Sequence, residues 1–121
     1  DDHAMNRAVA CLVGEHDFSA FRAADCEAAS AVRRFDAARW TRRGPQLALD
    51  VFGAGFLKQM VRAIVGTCVE VGRGALEPDA VSAILAGRDR GRAGPTAPAC
   101  GLVLERVYYR EEDYRHAVER L

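Results

Sequence analysis

The sequence predicts a single α+β domain: an antiparallel sheet of at least three strands with helices packed on one face. Three observations carry that expectation. A length of 121 residues suits one core and is short for two. A strand-like run before a Gly-Pro turn and period-two alternation after it write a hairpin into the first half of the chain. Apolar stripes of helical period, bounded by glycine or proline, flank that hairpin.

Met5, Val9, Leu12 and Val13 recur at helical spacing over residues 3–13, with Ala4 and Ala8 alongside. Asp1 and Asp2 precede the first turn, where negative charge suits the helix dipole, and Gly14 ends the helix. His16 to Arg22 reads as a loop with two aromatic anchors, Phe18 and Phe21. Residues 24–31 are small and polar without a period. Arg33 to Trp40 reads as a strand carrying Arg33, Arg34 and Arg39, and Arg43-Gly44-Pro45 as a turn. After it Leu47, Leu49 and Val51 alternate with Ala48, Asp50 and Phe52, so the two strands form an antiparallel hairpin.

Gly53-Ala54-Gly55 breaks the second strand. From Phe56 onward Leu57, Met60, Val61, Ile64, Val65, Cys68 and Val71 trace a helical stripe, with Arg62 off it. Gly72 and Gly74 stop this helix. Glu77-Pro78-Asp79 opens the next, with proline in the first turn, an apolar side of Val81, Ile84 and Leu85, and Gly87 to close it. Residues 88–101 form a long loop, of a kind that is often functional in a small domain. Leu102 to Tyr109 reads as a third strand and Glu111 to Leu121 as a terminal helix.

Composition narrows the function. Half the residues are hydrophobic and 28% are charged, which disfavours disorder. No apolar run approaches the roughly 20 residues that cross a bilayer. No basic segment followed by an apolar core opens the chain, so neither a secretory signal nor a membrane partner is expected. Cys11, Cys26, Cys68 and Cys100 form no close pair, which points to reduced structural thiols, no metal and a cytoplasmic compartment. His3, His16 and His116 are too scattered in sequence to suggest a ligand set.

The formal net charge of zero hides an uneven distribution. Two bases face six acids over residues 1–30, whereas eleven bases face six acids over 31–92. Lys58 is the single lysine, so the positive middle is nearly all arginine, the better phosphate fork. Arg88, Arg90 and Arg92 alternate in a Gly/Pro-rich loop, a pattern that suits phosphate neutralisation or, more blandly, a solvated charged loop. Arg62, beside an apolar stripe and just past a glycine-broken strand, is placed to reach a carboxylate or else to snorkel to solvent. No Ser-His-Asp order, Walker loop or His-Glu-x-x-His motif supplies a self-contained catalytic set.

Gly55-Phe56-Leu57-Lys58-Gln59-Met60-Val61-Arg62-Ala63-Ile64-Val65-Gly66-Thr67, with Val71-Gly72-Arg73-Gly74, resembles the C-terminal half of the tRNA pseudouridine synthase A family. So do Met5-Asn6-Arg7-Ala8 and Leu12-Val13-Gly14-Glu15-His16-Asp17-Phe18-Ser19-Ala20-Phe21-Arg22. Asp89-Arg90, Ala93-Gly94-Pro95-Thr96-Ala97-Pro98-Ala99 and Gly101-Leu102-Val103-Leu104 complete the pattern in order. The likeness runs from about residue 3 to residue 109, and it departs at Ala54, usually asparagine, and at Gln59, often histidine.

The resemblance implies a cofactor-free homodimeric enzyme that converts uridines of the tRNA anticodon arm, at positions 38 to 40, to pseudouridine. It implies the ferredoxin-like half of that fold, whose sheet continues into the other half, leaving an edge or apolar surface that favours self-association. By the same resemblance Arg62 pairs with the catalytic aspartate, since a nearby guanidinium keeps a cleft carboxylate ionised. Leu102 would pack against the flipped base. Lys58 and the Arg88/Arg90/Arg92 loop would bind RNA, and the Arg33/Arg34/Arg39 strand would flank its backbone.

The family's aspartate lies in an Arg-Thr-Asp motif of the N-terminal half, followed by an active-site tyrosine, and no aspartate here has that context. Residues 1–121 are therefore expected to be one C-terminal domain, inactive alone, whose partners are tRNA and an N-terminal half of the same enzyme. A start at Asp1 fits a piece of a longer protein. The competing readings are a non-catalytic RNA-binding or dimerisation module of this fold and, more remotely, a free-standing ferredoxin-like interaction domain.

Overall fold

The structure, a computed structural model, describes residues 2–23, 30–53, 55–56, 59–98 and 111–120. The elements run α1 (Asp2–Ala10), β1 (Gly14–Asp17), β2 (Val32–Arg43), β3 (Gln46–Gly53), α2 (Met60–Gly72), α3 (Pro78–Gly87) and α4 (Glu111–Glu119). Short 3-10 turns cover Ser19–Phe21 and Arg90–Arg92.

The predicted hairpin is β2 and β3, paired antiparallel from Arg43 opposite Gln46 to Phe35 opposite Gly53. Gly44, with φ +61°, makes the turn that a side chain would strain. Trp40, Ala38, Leu47, Leu49 and Val51 contribute to one buried face. Register slips between Phe35 and Ala37, so Asp36 sits in a bulge and the alternation of facing resets there.

The third described strand is β1, in a segment the sequence reads as turn and loop. Gly14, with φ +107°, starts the strand rather than merely ending the helix. Gly14 to Asp17 pair antiparallel with Phe35 to Val32, in the sheet order β1-β2-β3. Four mostly polar residues carry no apolar alternation, so their pairing with β2 is what makes them a strand. The expected strand Leu102–Tyr109 lies outside the described residues.

Helices α1, α2 and α3 close over the inner face, as the pattern predicts. Their buried residues Met5, Val9, Met60, Ile64, Cys68, Val81 and Ile84 join Phe18, Phe21, Phe35 and Trp40 in one core. The two aromatic anchors are fully buried, and Phe18 stacks on Phe35 with centroids 4.9 Å apart. The Trp40 indole N–H is buried against the Cys68 thiol without a hydrogen bond of good geometry. Burial pushes that thiol up to about 11, leaving it inert at neutral pH. Cys11 is also free and half-buried, just past the end of α1.

Beyond Phe35 the outer edge of β2 has no strand partner among the described residues, and α1 fills the gap. The Asn6 amide donates to Trp40 O at 3.1 Å and accepts from Trp40 N at 2.8 Å, as a neighbouring strand would. Helix α4 meets the opposite face of the hairpin through Tyr114. That ring lies edge-on to Phe52, and its hydroxyl donates to Asp36 Oδ2 at 2.6 Å.

Candidate nucleic-acid interface

Helix α2 begins at Met60, a turn later than the stripe from Phe56 suggests, after Gln59 in the left-handed region at φ 60°. Arg62 is therefore in the first turn, where it is half-buried rather than out in bulk solvent. Its Nε donates to Ala97 O at 2.8 Å, and its own backbone carbonyl accepts from Ala97 N at 3.0 Å. Two reciprocal bonds thus lock the arginine to the segment after α3. Among the described residues Nη1 and Nη2 hold no hydrogen bond and no carboxylate. A guanidinium anchored by Nε and open at both terminal nitrogens is a preset fork for a planar anion.

The 94–97 segment lies unusually close to α2. A methyl group built on Gly66 would overlap Pro95 O, so only glycine permits the contact. Gly94 is buried, and its N–H donates to Thr67 Oγ1 at 2.9 Å, which in turn donates to Ala63 O at 2.8 Å. Gly66 and Thr67 are buried although neither belongs to the apolar stripe. The adjacent Gly-Thr was the one available sign, one turn past Arg62, of a close backbone approach.

The three alternating arginines do not share a role. Arg88 closes α3 in the left-handed region, at φ 56°, and its exposed guanidinium lies 3.6 Å from Asp17 Oδ2. The carboxyl of Asp17 is held below its usual range mainly by the hydroxyl and N–H of Ser19, with Arg88 adding to the effect. Arg92 is exposed, with its Nη1 beside Gly87 at the end of α3. Arg90 instead turns inward to Gly94 O at 2.9 Å and Thr96 Oγ1 at 2.8 Å. Lys58 and Leu102 lie outside the described residues, as does Ala54.

The strand arginines are divided as well. Arg33 donates to Ser30 O and Val32 O, while Arg34 pairs with Asp36 at 3.0 Å. Arg39 stands across from Asp50 on the outer face of the hairpin. They form no single basic stripe. A wide groove of about 370 Å³, lined by Cys11, His16, Asp17, Ser82, Leu85, Ala86 and Arg88, does not include Arg62. Among the described residues no cluster of three His, Cys, Asp or Glu could hold a metal, and no helix is long and apolar enough to cross a membrane.

Among the described residues Arg62 is a fixed cation without a carboxylate partner, held to a segment that follows the exposed Arg88 and Arg92. The chain belongs to the tRNA pseudouridine synthase family, whose model it matches over residues 8–110. It is 53% identical over 113 residues to a tRNA pseudouridine synthase A of Myxococcus xanthus, covering 92% of this chain and 42% of that protein. It is 49% identical over 109 residues to that of Pelobacter propionicus, covering 90% and 45%. With the Moorella thermoacetica protein it shares 53% identity over 110 residues, 88% of this chain and 43% of the relative. The chain thus spans less than half the length of these relatives. Its antiparallel sheet and helices fit one half of a pseudouridine synthase fold.

Proposed function

We propose that residues 1–121 form the C-terminal domain of a tRNA pseudouridine synthase that isomerises uridine to pseudouridine in the anticodon arm, at positions 38 to 40. The isomerisation exchanges the glycosidic C–N bond for a C–C bond within one nucleotide and consumes no redox partner. The catalytic aspartate comes from an N-terminal half, and Arg62 holds it ionised and oriented through Nη1 and Nη2. The observation that carries this reading is the state of Arg62: half-buried, anchored by Nε to Ala97, and without an acidic partner among the described residues. A carboxylate brought there would gain two charge-assisted bonds at little ordering cost.

Leu102 supplies the apolar wall for the flipped base, and Arg88 and Arg92, with Lys58, meet tRNA phosphates. Arg90 belongs to the same basic cluster by sequence, with its terminal nitrogens engaged inside the loop. The assembled enzyme is a cytoplasmic homodimer. The test pairs residues 1–121 with the N-terminal half of the Myxococcus xanthus relative, supplies unmodified tRNA and measures pseudouridine by nucleoside chromatography. The pair is expected to form pseudouridine, whereas this chain alone and the pair carrying Arg62→Ala are not. Product from the chain alone, or an undiminished yield with Arg62→Ala, overturns the reading.

A further inference from the structure

Arg90 stands between two exposed arginines, yet its guanidinium is taken up by the loop that carries it. Nη1 donates to Gly94 O at 2.9 Å and Nη2 to Thr96 Oγ1 at 2.8 Å, so the planar fork spans residues 94 to 96. The turn before it is set by Asp89, whose Oδ1 accepts the Gly91 N–H at 2.9 Å. That capping contact opens the 3-10 turn Arg90–Arg92, from whose first residue the side chain reaches Gly94 and Thr96. Pro95 and Pro98 have no N–H to give, so the segment has few backbone donors with which to brace itself. The next residue after the clamp is Ala97, which makes both bonds to Arg62.

We propose that Arg90 is a positioning residue: it clamps residues 94–96 and thereby sets, through Ala97 O, the direction of the Arg62 guanidinium, in place of the phosphate contact its sequence neighbourhood suggests. This rests on the reading of Arg62 as the cation that receives the aspartate. Lysine would serve less well at position 90, because its ammonium is a flexible point charge without the two separately aimed donors of the guanidinium.

Nitrogen-15 NMR on the 121-residue chain tests it, with the Arg62 Nε–H signal assigned by its loss in Arg62→Lys. In Arg90→Met the Arg62 Nε–H and the Ala97 amide are expected to exchange with solvent at least tenfold faster, while the amides of Ile64 to Cys68 keep their rates. Thr96→Val, which retains every charge, should give a smaller rise in the same two signals. Arg90→Lys should fall between Arg90→Met and the parent. The salt dependence of tRNA affinity should keep the parent slope in Arg90→Met. Unchanged Arg62 Nε–H exchange in Arg90→Met overturns the proposal, as does a salt slope reduced by one phosphate equivalent. Should Arg90→Met fail to fold, Thr96→Val decides by the same signal. The exchange readout needs no catalysis, so a failure of Arg62 to support isomerisation is seen separately in the paired-half assay.

Discussion

The side-chain amide of Asn6 satisfies both backbone polar groups of Trp40, at 3.1 and 2.8 Å, and so stands where β2 has no further strand partner among the described residues. Two bonds across 34 residues tie the first helix to the middle of the sheet.

Asn6→Ala leaves the N–H and C=O of Trp40 without these partners, in a part-buried place. Each such group costs about 1–3 kcal/mol when unsatisfied. Urea unfolding should show a lower midpoint with an unchanged slope. Asn6→Asp retains an acceptor for Trp40 N but opposes the Trp40 carbonyl with negative charge, and should recover little.

Gly66→Ala forces a methyl group into Pro95 O and must move the loop or the helix. Overpacking of this kind costs about 1–3 kcal/mol. The expected signature is a lower urea midpoint together with loss of the Arg62–Ala97 bonds, read as faster exchange of the Ala97 amide.

Tyr114 provides a pH-dependent contact between α4 and β2. Burial first, and then the Asp36 carboxylate that accepts its hydrogen bond, push the phenol well above its ordinary 10.0. Its folded form thus prefers the proton more than its unfolded form does. The stability it adds is complete below about pH 10 and is lost as pH rises beyond that. Thermal unfolding followed from pH 8 to about pH 11 should decline more gently in Tyr114→Phe than in the parent. Identical alkaline declines would remove the hydroxyl from this role.

Charge reversal at Arg88 and Arg92 should weaken tRNA binding and flatten its salt dependence. Each lost phosphate contact lowers the slope of log affinity against log salt by about 0.7–0.9. Titrations at several salt concentrations check this, and an unchanged slope would take these two arginines out of the interface.

Long periodic elements were legible in the sequence because their burial is written as a pattern. The hairpin, α1, α2 and α3 fall within a few residues of the apolar spacing, the largest shift being the start of α2 at Met60. Strand β1 was not legible, since Glu15, His16 and Asp17 become a strand by pairing with β2 and not by apolar alternation. The site divides in the same way. Arg62 stands out in the sequence as an arginine off its stripe, but its anchor in the structure is neither a carboxylate nor solvent: it is a backbone carbonyl at Ala97. Carbonyls are common to every residue, so no residue type could have announced that one. Arg90 resembled its neighbours in composition and differs from them only through the fold of the loop. Lys58 and Leu102 lie outside the described residues.

At residue 66 a missing methyl does what a bond does elsewhere. With the carbonyl of Pro95 seated where a side chain would begin, helix and loop have no slack between them. Tilting either one drags the other. The cation one turn earlier on that helix takes its aim from chain laid down 35 residues later, and cannot be set until that later stretch has arrived.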